Sequence, residues 1–324
     1  MLQLAGDGDE DAGGLPRGCP LQSRPRLSLS RAAIVTVTYE SESCIGALLE
    51  SVRRHEGSDT EVVVVDNASR DGTRELIERG FAWVRVLPQA RNLGFAAAVN
   101  HGVAATTAEY VMLLNPDGVL TEGVLSDLAD FMAGDPSLGA VGPKVLHPDG
   151  TLQASCRRFP TMWSGLFNRT SLLTRLLPSN ALSGDYLMAD FDHASTLDVD
   201  WLSGAALMLR REAFERVGGM DQAYFIYFED VDLCQRLHRA GFRVVYYPHV
   251  SVVHEISASS GGLANRTIRE RHRGMWRYWT TYRRGNSLRD AAAWGMINAR
   301  CAAQLAANTA RRRLNRPQTN VRSD

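Results

Sequence analysis

The first third of this chain repeats one local pattern four times. A short run of β-branched and aliphatic residues ends in polar residues, and a segment with apolar residues at helical spacing follows. Ala32–Thr38, Glu61–Val65, Trp83–Leu87 and Tyr110–Leu114 read as strands. Cys44–Val52, a segment around Glu75–Arg79, and Ala96–Ala105 read as the helices between them. Strands that alternate with helices predict an α/β fold with a mainly parallel central sheet flanked by helices. In such sheets ligands sit at the carboxyl ends of the strands. Tyr39, Glu40, Asp66, Asn92, Asn115 and Asp117 all fall there. Neither a GxGxxG nor a GxxxxGK[ST] pattern is present. Any phosphate is therefore expected to be held by a metal ion and not by a glycine-rich cradle.

The stretch from Tyr224 to His254 concentrates the remaining chemistry. An aromatic run, Tyr224 to Phe228, precedes Glu229, Asp230 and Asp232. Leu233, Leu237 and Ala240 follow at helical spacing, and Gly241 is a natural stop. Phe242–Tyr247 then reads as a strand ended by Pro248, and a second short strand, Val250–Val253, delivers His254. Acids behind so apolar a run are costly without partners. The plainer reading of Asp230 is a helix cap. The helix N-terminus favours its anion, while the apolar run before it opposes that charge.

Asp117 stands in Asn115-Pro116-Asp117-Gly118, a sequence that also reads as an ordinary turn. A carboxylate there could hold Mg2+ or Mn2+, which take oxygen ligands and bridge to substrate phosphates. His254 alone would equally be a structural histidine. Together, Asp117, His254 and Asp230 supply a metal ligand, a second ligand and a base.

The flanking regions carry other signals. Residues 1–30 lack an apolar core and read as a disordered leader, not a signal peptide. Phe159–Pro178 fits an amphipathic helix or flap, either a core helix or a membrane-facing lip, and Ser179–Thr196 reads as a mobile loop. Gly204, within Trp201–Leu209, marks a place where a backbone or ligand comes close. One globular domain is expected over 31–262. Acids and bases balance at 36 each over the chain, but from Asn265 onward fourteen arginines face only Glu270, Asp290 and Asp324. Trp276, Tyr278, Trp279, Tyr282 and Trp294 interleave with them, so 263–324 reads as a basic, aromatic-bearing helical tail. Such a tail suits an anionic membrane surface; a solvated or protein-facing helix and a nucleic-acid arm are the alternatives. No nucleic-acid module accompanies it, so no nucleic-acid partner is expected. Five scattered cysteines without paired spacing point to the cytoplasm, and no run of 18 apolar residues spans a membrane.

The ordered motifs resemble a known family. Val35-Thr36-Val37-Thr38-Tyr39-Glu40, Val64 to Thr73 (VVDNASRDGT), Asn92 to Asn100 (NLGFAAAVN), Leu113 to Asp117 (LLNPD), Trp201 to Ala205 (WLSGA) and Phe228 to Leu233 (FEDVDL) look like family 2 glycosyltransferases of the GT-A fold. Within that family the set is most similar to bacterial rhamnosyltransferases of cell-wall and polysaccharide assembly. The resemblance implies inverting transfer of a sugar from a nucleoside diphosphate to an acceptor hydroxyl, in a catalytic domain over 31–262 with a nucleotide half to about 118 and an acceptor half from about 119. It places Thr38, Tyr39, Glu40 and Asp66 on the base and ribose, and Asn92 and Gly94 in the nucleotide pocket. Asp117 matches the last acid of the family's Asp-x-Asp motif, and Asn115 stands where the first acid often stands. Asp230 matches the catalytic base, with Glu229 beside it for acceptor contact or orientation.

The expectation is a metal-dependent glycosyltransferase at the inner face of the plasma membrane, acting on a lipid-linked or polymeric glycan. The expected donor is dTDP-rhamnose, with Trp201, Leu202 and Gly204-Ala205 as an apolar wall for its methyl group. Alternatives are a UDP-hexose or galactofuranose-type transferase, a nucleotidyltransferase, and a silent sugar-nucleotide binding module.

Overall fold

A computed structural model describes residues 31–161, 186–188, 190–255 and 265–314. The expected leader, most of the stripe expected over Phe159–Pro178 and part of the loop expected over Ser179–Thr196 lie outside the described residues.

The four expected strands form, as β1 (Ala32–Thr38), β2 (Glu61–Asp66), β3 (Arg85–Pro88) and β4 (Tyr110–Leu114). Between them lie α1 (Glu42–His55), α2 (Thr73–Gly80) and α3 (Phe95–Ala104). β3 begins at Arg85, not Trp83, because Phe81 to Val84 make a turn closed by the Val84 amide on the Phe81 carbonyl. Next come β5 (Gly118–Leu120), α4 (Val124–Ala133), β6 (Leu138–Leu146), β7 (Leu152–Gln153) and β8 (Cys156–Arg157). β9 (Leu197–Asp198), β10 (Trp201–Leu202), β11 (Ala206–Arg210), α5 (Arg211–Arg216), α6 (Glu229–Arg239) and β12 (Arg243–His254) follow. The chain then forms α7 (Asn265–Tyr278), a π-helical turn (Trp279–Arg283) and α8 (Ser287–Leu314).

The central sheet runs β3-β2-β1-β4-β11-β6-β12-β5. It is parallel from β3 to β4; β11 then enters antiparallel to both neighbours, and β12 is parallel to β6. The sheet is therefore mixed, with its parallel part where helices alternate with strands. Side chains split by the two-residue period of a strand. Ile34, Val62 and Val64 meet Ile45, Leu48 and Leu49 of α1. Val35, Val63 and Val65 face Val99 and Val103 of α3. All are buried, each contributing about 1.5–3 kcal/mol. Runs without polar alternation thus fill both faces.

One expectation fails at Pro248. The two strands expected on either side of it are the single strand β12, and the register against β6 slips between Tyr247 and Ser251. Proline cannot donate to the ladder, and the irregularity absorbs that loss without ending the strand.

The C-terminal helices lie on the domain and do not trail from it. Arg277 pairs with Asp221 at 2.6 Å. The Tyr282 hydroxyl donates to Asp232 Oδ1 at 2.6 Å, and Arg236 pairs with Asp232 at 2.7 Å. Tyr278 and Trp279 are buried, so these rings serve the interior; Leu288 and Trp294, 81% and 55% exposed, face outward.

Candidate active site

The ends of β1 and β2 are knitted together by hydrogen bonds. Buried Asp66 accepts from the Thr38 hydroxyl and the Ser69 amide, both at 3.3 Å. Asn67 donates to the Gly94 carbonyl at 3.2 Å and accepts from the Leu93 amide at 2.8 Å. Asn92 accepts from the Gly94 amide at 3.0 Å, so its side chain shapes the loop before α3. Gly94 has φ 88°, and a Cβ there would lie 2.6 Å from the Phe225 carbonyl oxygen. That close approach lets the Phe95 amide donate to the same oxygen at 2.7 Å, tying α3 to the loop before α6. Tyr39 is 48% exposed, and Glu40, at φ 53°, is exposed beside it. This leaves an open aromatic ring at the lip of the sheet.

Strand register brings Asp117 and His254 together. His254 of β12 pairs with Gly118 of β5, one position after Asp117. The result is a 3.0 Å contact between His254 Nε2 and Asp117 Oδ1. His254 Nδ1 lies 2.8 Å from Gln153 Oε1. A proton donated from Nδ1 to that amide leaves the Nε2 lone pair facing a carboxylate, an arrangement that a cation or a second proton satisfies. Asn115 Nδ2 lies 3.4 Å from the same ring nitrogen. This donor set of one carboxylate and one oriented imidazole fits a divalent ion. Among the described residues no three His, Cys, Asp or Glu side chains gather at one metal-binding point. The pair would thus leave most coordination positions to phosphate oxygens and water.

Asp230 lies at the start of α6, but it is not the cap. The N-cap is Phe228, with no side-chain cap bond. Asp230 Oδ2 accepts from the Gly204 amide at 3.1 Å and Oδ1 from the Val231 amide at 2.8 Å. Burial pushes its carboxyl above the usual range; the two amides and Arg157 oppose the shift. The apolar surroundings therefore outweigh the helix terminus. Glu229 is buried, its Oε2 has no hydrogen-bond partner, and burial and then the Asp230 charge push its carboxyl well above the ordinary value. Both carboxyls are thus raised; two amides and Arg157 steady the Asp230 anion, while Glu229 Oε2 has no such bond among the described residues. Asp232, ion-paired to Arg236, is a structural anchor.

The backbone before this pair is strained. Tyr227 and Phe228 have φ 67° and 74°, unusual for aromatic residues and costing about 1–3 kcal/mol each. Helix α7 holds them in place. A Cβ on Gly274 would lie 2.9 Å from the Tyr227 carbonyl oxygen, and Arg271 stacks 4.3 Å over the Tyr227 ring.

A cavity of about 680 Å3 unites the second and third groups: Asn115, Asp117, Trp201, Asp230 and His254 line it. Thr38, Tyr39, Glu40, Asp66, Asn92 and Gly94 are not in its wall. They form a separate cluster at the ends of β1 and β2. Glu229 does not reach the cavity either, so of its two expected roles only orientation fits the geometry. Gly204 touches the cavity chemistry through its amide on Asp230. Trp201 lies in the wall, its indole N–H donated to the Arg158 carbonyl at 2.8 Å. Leu202 is fully buried and takes no part in the wall. Sequence reasoning missed Asn67, Gln153, Arg157, Tyr186, Arg271 and Arg300. Asn67 was legible beside Asp66, whereas the others come from segments without a local signature.

Comparison with known proteins identifies the family. Residues 33–218 match the family described as glycosyl transferase family 2, and residues 190–258 match the N-terminal domain of galactosyltransferase. The N-acetylglucosaminyl-diphospho-decaprenol L-rhamnosyltransferase of Mycobacterium tuberculosis H37Rv is 33% identical over 75% of this chain and 86% of its own length. Rhamnosyltransferase WbbL of Escherichia coli K12 is 24% identical over 76% of this chain and 91% of its own. Among solved structures, GalNAc-T7 with UDP, GalNAc and Mn2+ superposes with TM-score 0.55 at 16% identity, over 86% of this chain and 57% of that one. The Pyrobaculum calidifontis mannosyltransferase PcManGT with GDP-Man and Mn2+ gives 0.53 at 19%, over 86% and 79%. These two share the GT-A fold found here. The chain is a member of glycosyltransferase family 2 and an enzyme of that class.

Proposed function

We propose that the protein transfers L-rhamnose, with inversion, from a nucleoside diphosphate donor to a hydroxyl of a lipid-linked glycan, using Mg2+ or Mn2+. One observation carries the reading: Asp230 faces the same cavity as the Asp117–His254 pair. Asp230 would take the acceptor hydroxyl proton as that oxygen bonds the sugar's anomeric carbon. The bond from that carbon to the diphosphate breaks, and the nucleoside diphosphate departs with its electron pair. One base suffices for inversion. Asp117 and His254 would hold the divalent ion, which neutralises charge on the leaving diphosphate. An imidazole beside a carboxylate suits Mn2+ more than Mg2+, which prefers oxygen alone. Thr38, Tyr39, Glu40 and Asp66 would receive the nucleoside, with Tyr39 open for stacking and Asn92 and Gly94 setting the loop beside them.

The similarity to the mycobacterial relative supports rhamnose and a diphospho-lipid acceptor. The galactosyltransferase-type match supports a UDP-hexose donor as the second reading. A donor panel assayed with N-acetylglucosaminyl-diphospho-lipid decides between them. A methyl-accepting pocket discriminates by about 10- to 200-fold, so dTDP-rhamnose should outcompete UDP-galactose and UDP-glucose. If UDP-hexoses win, the rhamnosyl reading falls.

No helix among the described residues is long and apolar enough to cross a membrane. A peripheral site on the inner face of the plasma membrane is supported by the exposed Leu288 and Trp294 on the arginine-rich α8. Leu288→Asp with Trp294→Asp should then abolish sedimentation with anionic vesicles; retained binding would place the contact elsewhere.

A further inference from the structure

One end of the cavity is built of cations. Arg157, Arg271 and Arg300 line it, from β8, α7 and α8 respectively. The only carboxylates among the described lining residues are Asp117 and Asp230, both already engaged in the reaction chemistry. Tyr186 links this end to Asp230: it is hydrogen-bonded to Arg157 and lies within the electrostatic reach of both Asp230 and Arg300. Arg157 Nε is buried without a hydrogen-bond partner among the described residues. Burial, and then the like charge of Arg271, push the Arg300 guanidinium below its ordinary value. Guanidinium groups along one cavity wall, among them the Arg157 Nε donor without a partner among the described residues, present N–H donors that suit a phosphate.

Apolar side chains continue along the same helices. Met275 lies one turn beyond Arg271 on α7, and Met296 and Ile297 lie one turn before Arg300 on α8; all three line the cavity. A cationic end that merges into an apolar wall matches a diphosphate esterified to a hydrocarbon chain.

We infer that Arg157, Arg271 and Arg300 form a second diphosphate site, one that holds the acceptor's lipid diphosphate while Asp117 and His254 serve the donor. This rests on the proposed reaction for its meaning, but not for its test. Asp230 lines the same cavity as both sites and lies within the electrostatic reach of Arg157. The C-terminal helices then select acceptors by charge, and an uncharged glycoside of the same sugar would be a poor substrate.

The test is binding without turnover. Geranyl diphosphate is titrated into the full chain in EDTA, read by fluorescence of the cavity residue Trp279. Wild type should bind it far better than geraniol. Charge-assisted hydrogen bonds to a phosphate predict a weakening of roughly 10- to 100-fold in Arg300→Met and Arg271→Gln. Arg300→Lys should recover part of it, and Asp117→Asn should leave it unchanged. A nucleoside diphosphate titrated with Mn2+ should show the reverse dependence. Geranyl diphosphate binding that requires Mn2+, or that is lost in Asp117→Asn and kept in Arg300→Met, overturns the inference, because the diphosphate then occupies the donor site. Binding through Arg300 by a protein that transfers no rhamnose would support the site while refuting the proposed reaction. Rhamnosyl transfer at equal KM to diphospho-lipid and octyl-glycoside acceptors would refute the site and leave the reaction standing.

Discussion

The proposed nucleotide side and the proposed acceptor side of this enzyme are held together in different ways. On the nucleotide side, Thr38, Asp66, Asn67, Asn92 and Gly94 reach one another through hydrogen bonds between neighbouring parallel strands and the loop that follows. On the acceptor side, Asp230 depends on Gly204 from a distant segment and on Arg157 from β8, and the strained loop before it is braced by α7. The first arrangement follows from neighbouring strands; the second is imposed by tertiary contacts. The nucleotide side is therefore expected to tolerate changes in the C-terminal helices, and the acceptor side is not.

The sharpest separation should come from Asp230→Asn. Turnover should fall by about 10²-fold or more, the usual scale for loss of a general base, with donor affinity unchanged. Turnover within a few-fold of the parent would remove Asp230 from the chemistry. In the parent, kcat should fall as pH drops through a value above the ordinary carboxylate range, because burial raises the Asp230 pKa.

Gly94→Ala attacks a place where the two sides join. With φ 88° and the Phe225 carbonyl in the way, a cost of about 1–3 kcal/mol is expected, with donor and acceptor kinetics impaired together. Loss on one side only would show that the sides are independent. Tyr282→Phe, which removes the hydroxyl donated to buried Asp232, should cost about 1.5–3 kcal/mol or less of stability and raise the acceptor KM. An equal rise in the donor KM would contradict the division.

The smallest effect belongs to Glu229→Gln. Its folded pKa is raised, so its contribution to stability is fully present below the unfolded value near 4.5 and is lost as pH rises through the folded value. The glutamine variant should therefore melt higher than the parent at pH 8 and no higher at pH 4. Each kcal/mol of relief corresponds to about 2–4 °C in Tm. A lower melting temperature at pH 8 would mean that Glu229 is charged and paired in the fold.

Much of this was legible before the fold was seen. The four strand ends, the acids at the start of α6 and the return of a histidine were read from apolar runs and their stops. For Glu229 the sequence left acceptor contact and orientation equally open, because nothing local shows that its side chain is buried outside the cavity wall. Leu202 was misplaced for a related reason: in a run that is apolar throughout, the sequence does not tell a wall residue from a core residue. The aromatic residues of the tail were read as an outward surface, yet Tyr278 and Trp279 are buried, since the same amphipathic pattern serves a membrane or a neighbouring domain.

By itself the sequence determined the strand–helix alternation, the polar strand ends and the residue types able to carry the reaction. These depend on propensity and on periods of two and 3.6 residues, which act over a few positions. Tertiary structure alone decided that β12 continues past Pro248 in the register that sets His254 beside Asp117. It also decided that burial raises the carboxyls of both Glu229 and Asp230, and that helices from the far end of the chain close the cavity with arginines. Register, desolvation and like-charge proximity arise between segments far apart in sequence, and they have no magnitude until the chain has brought those segments together.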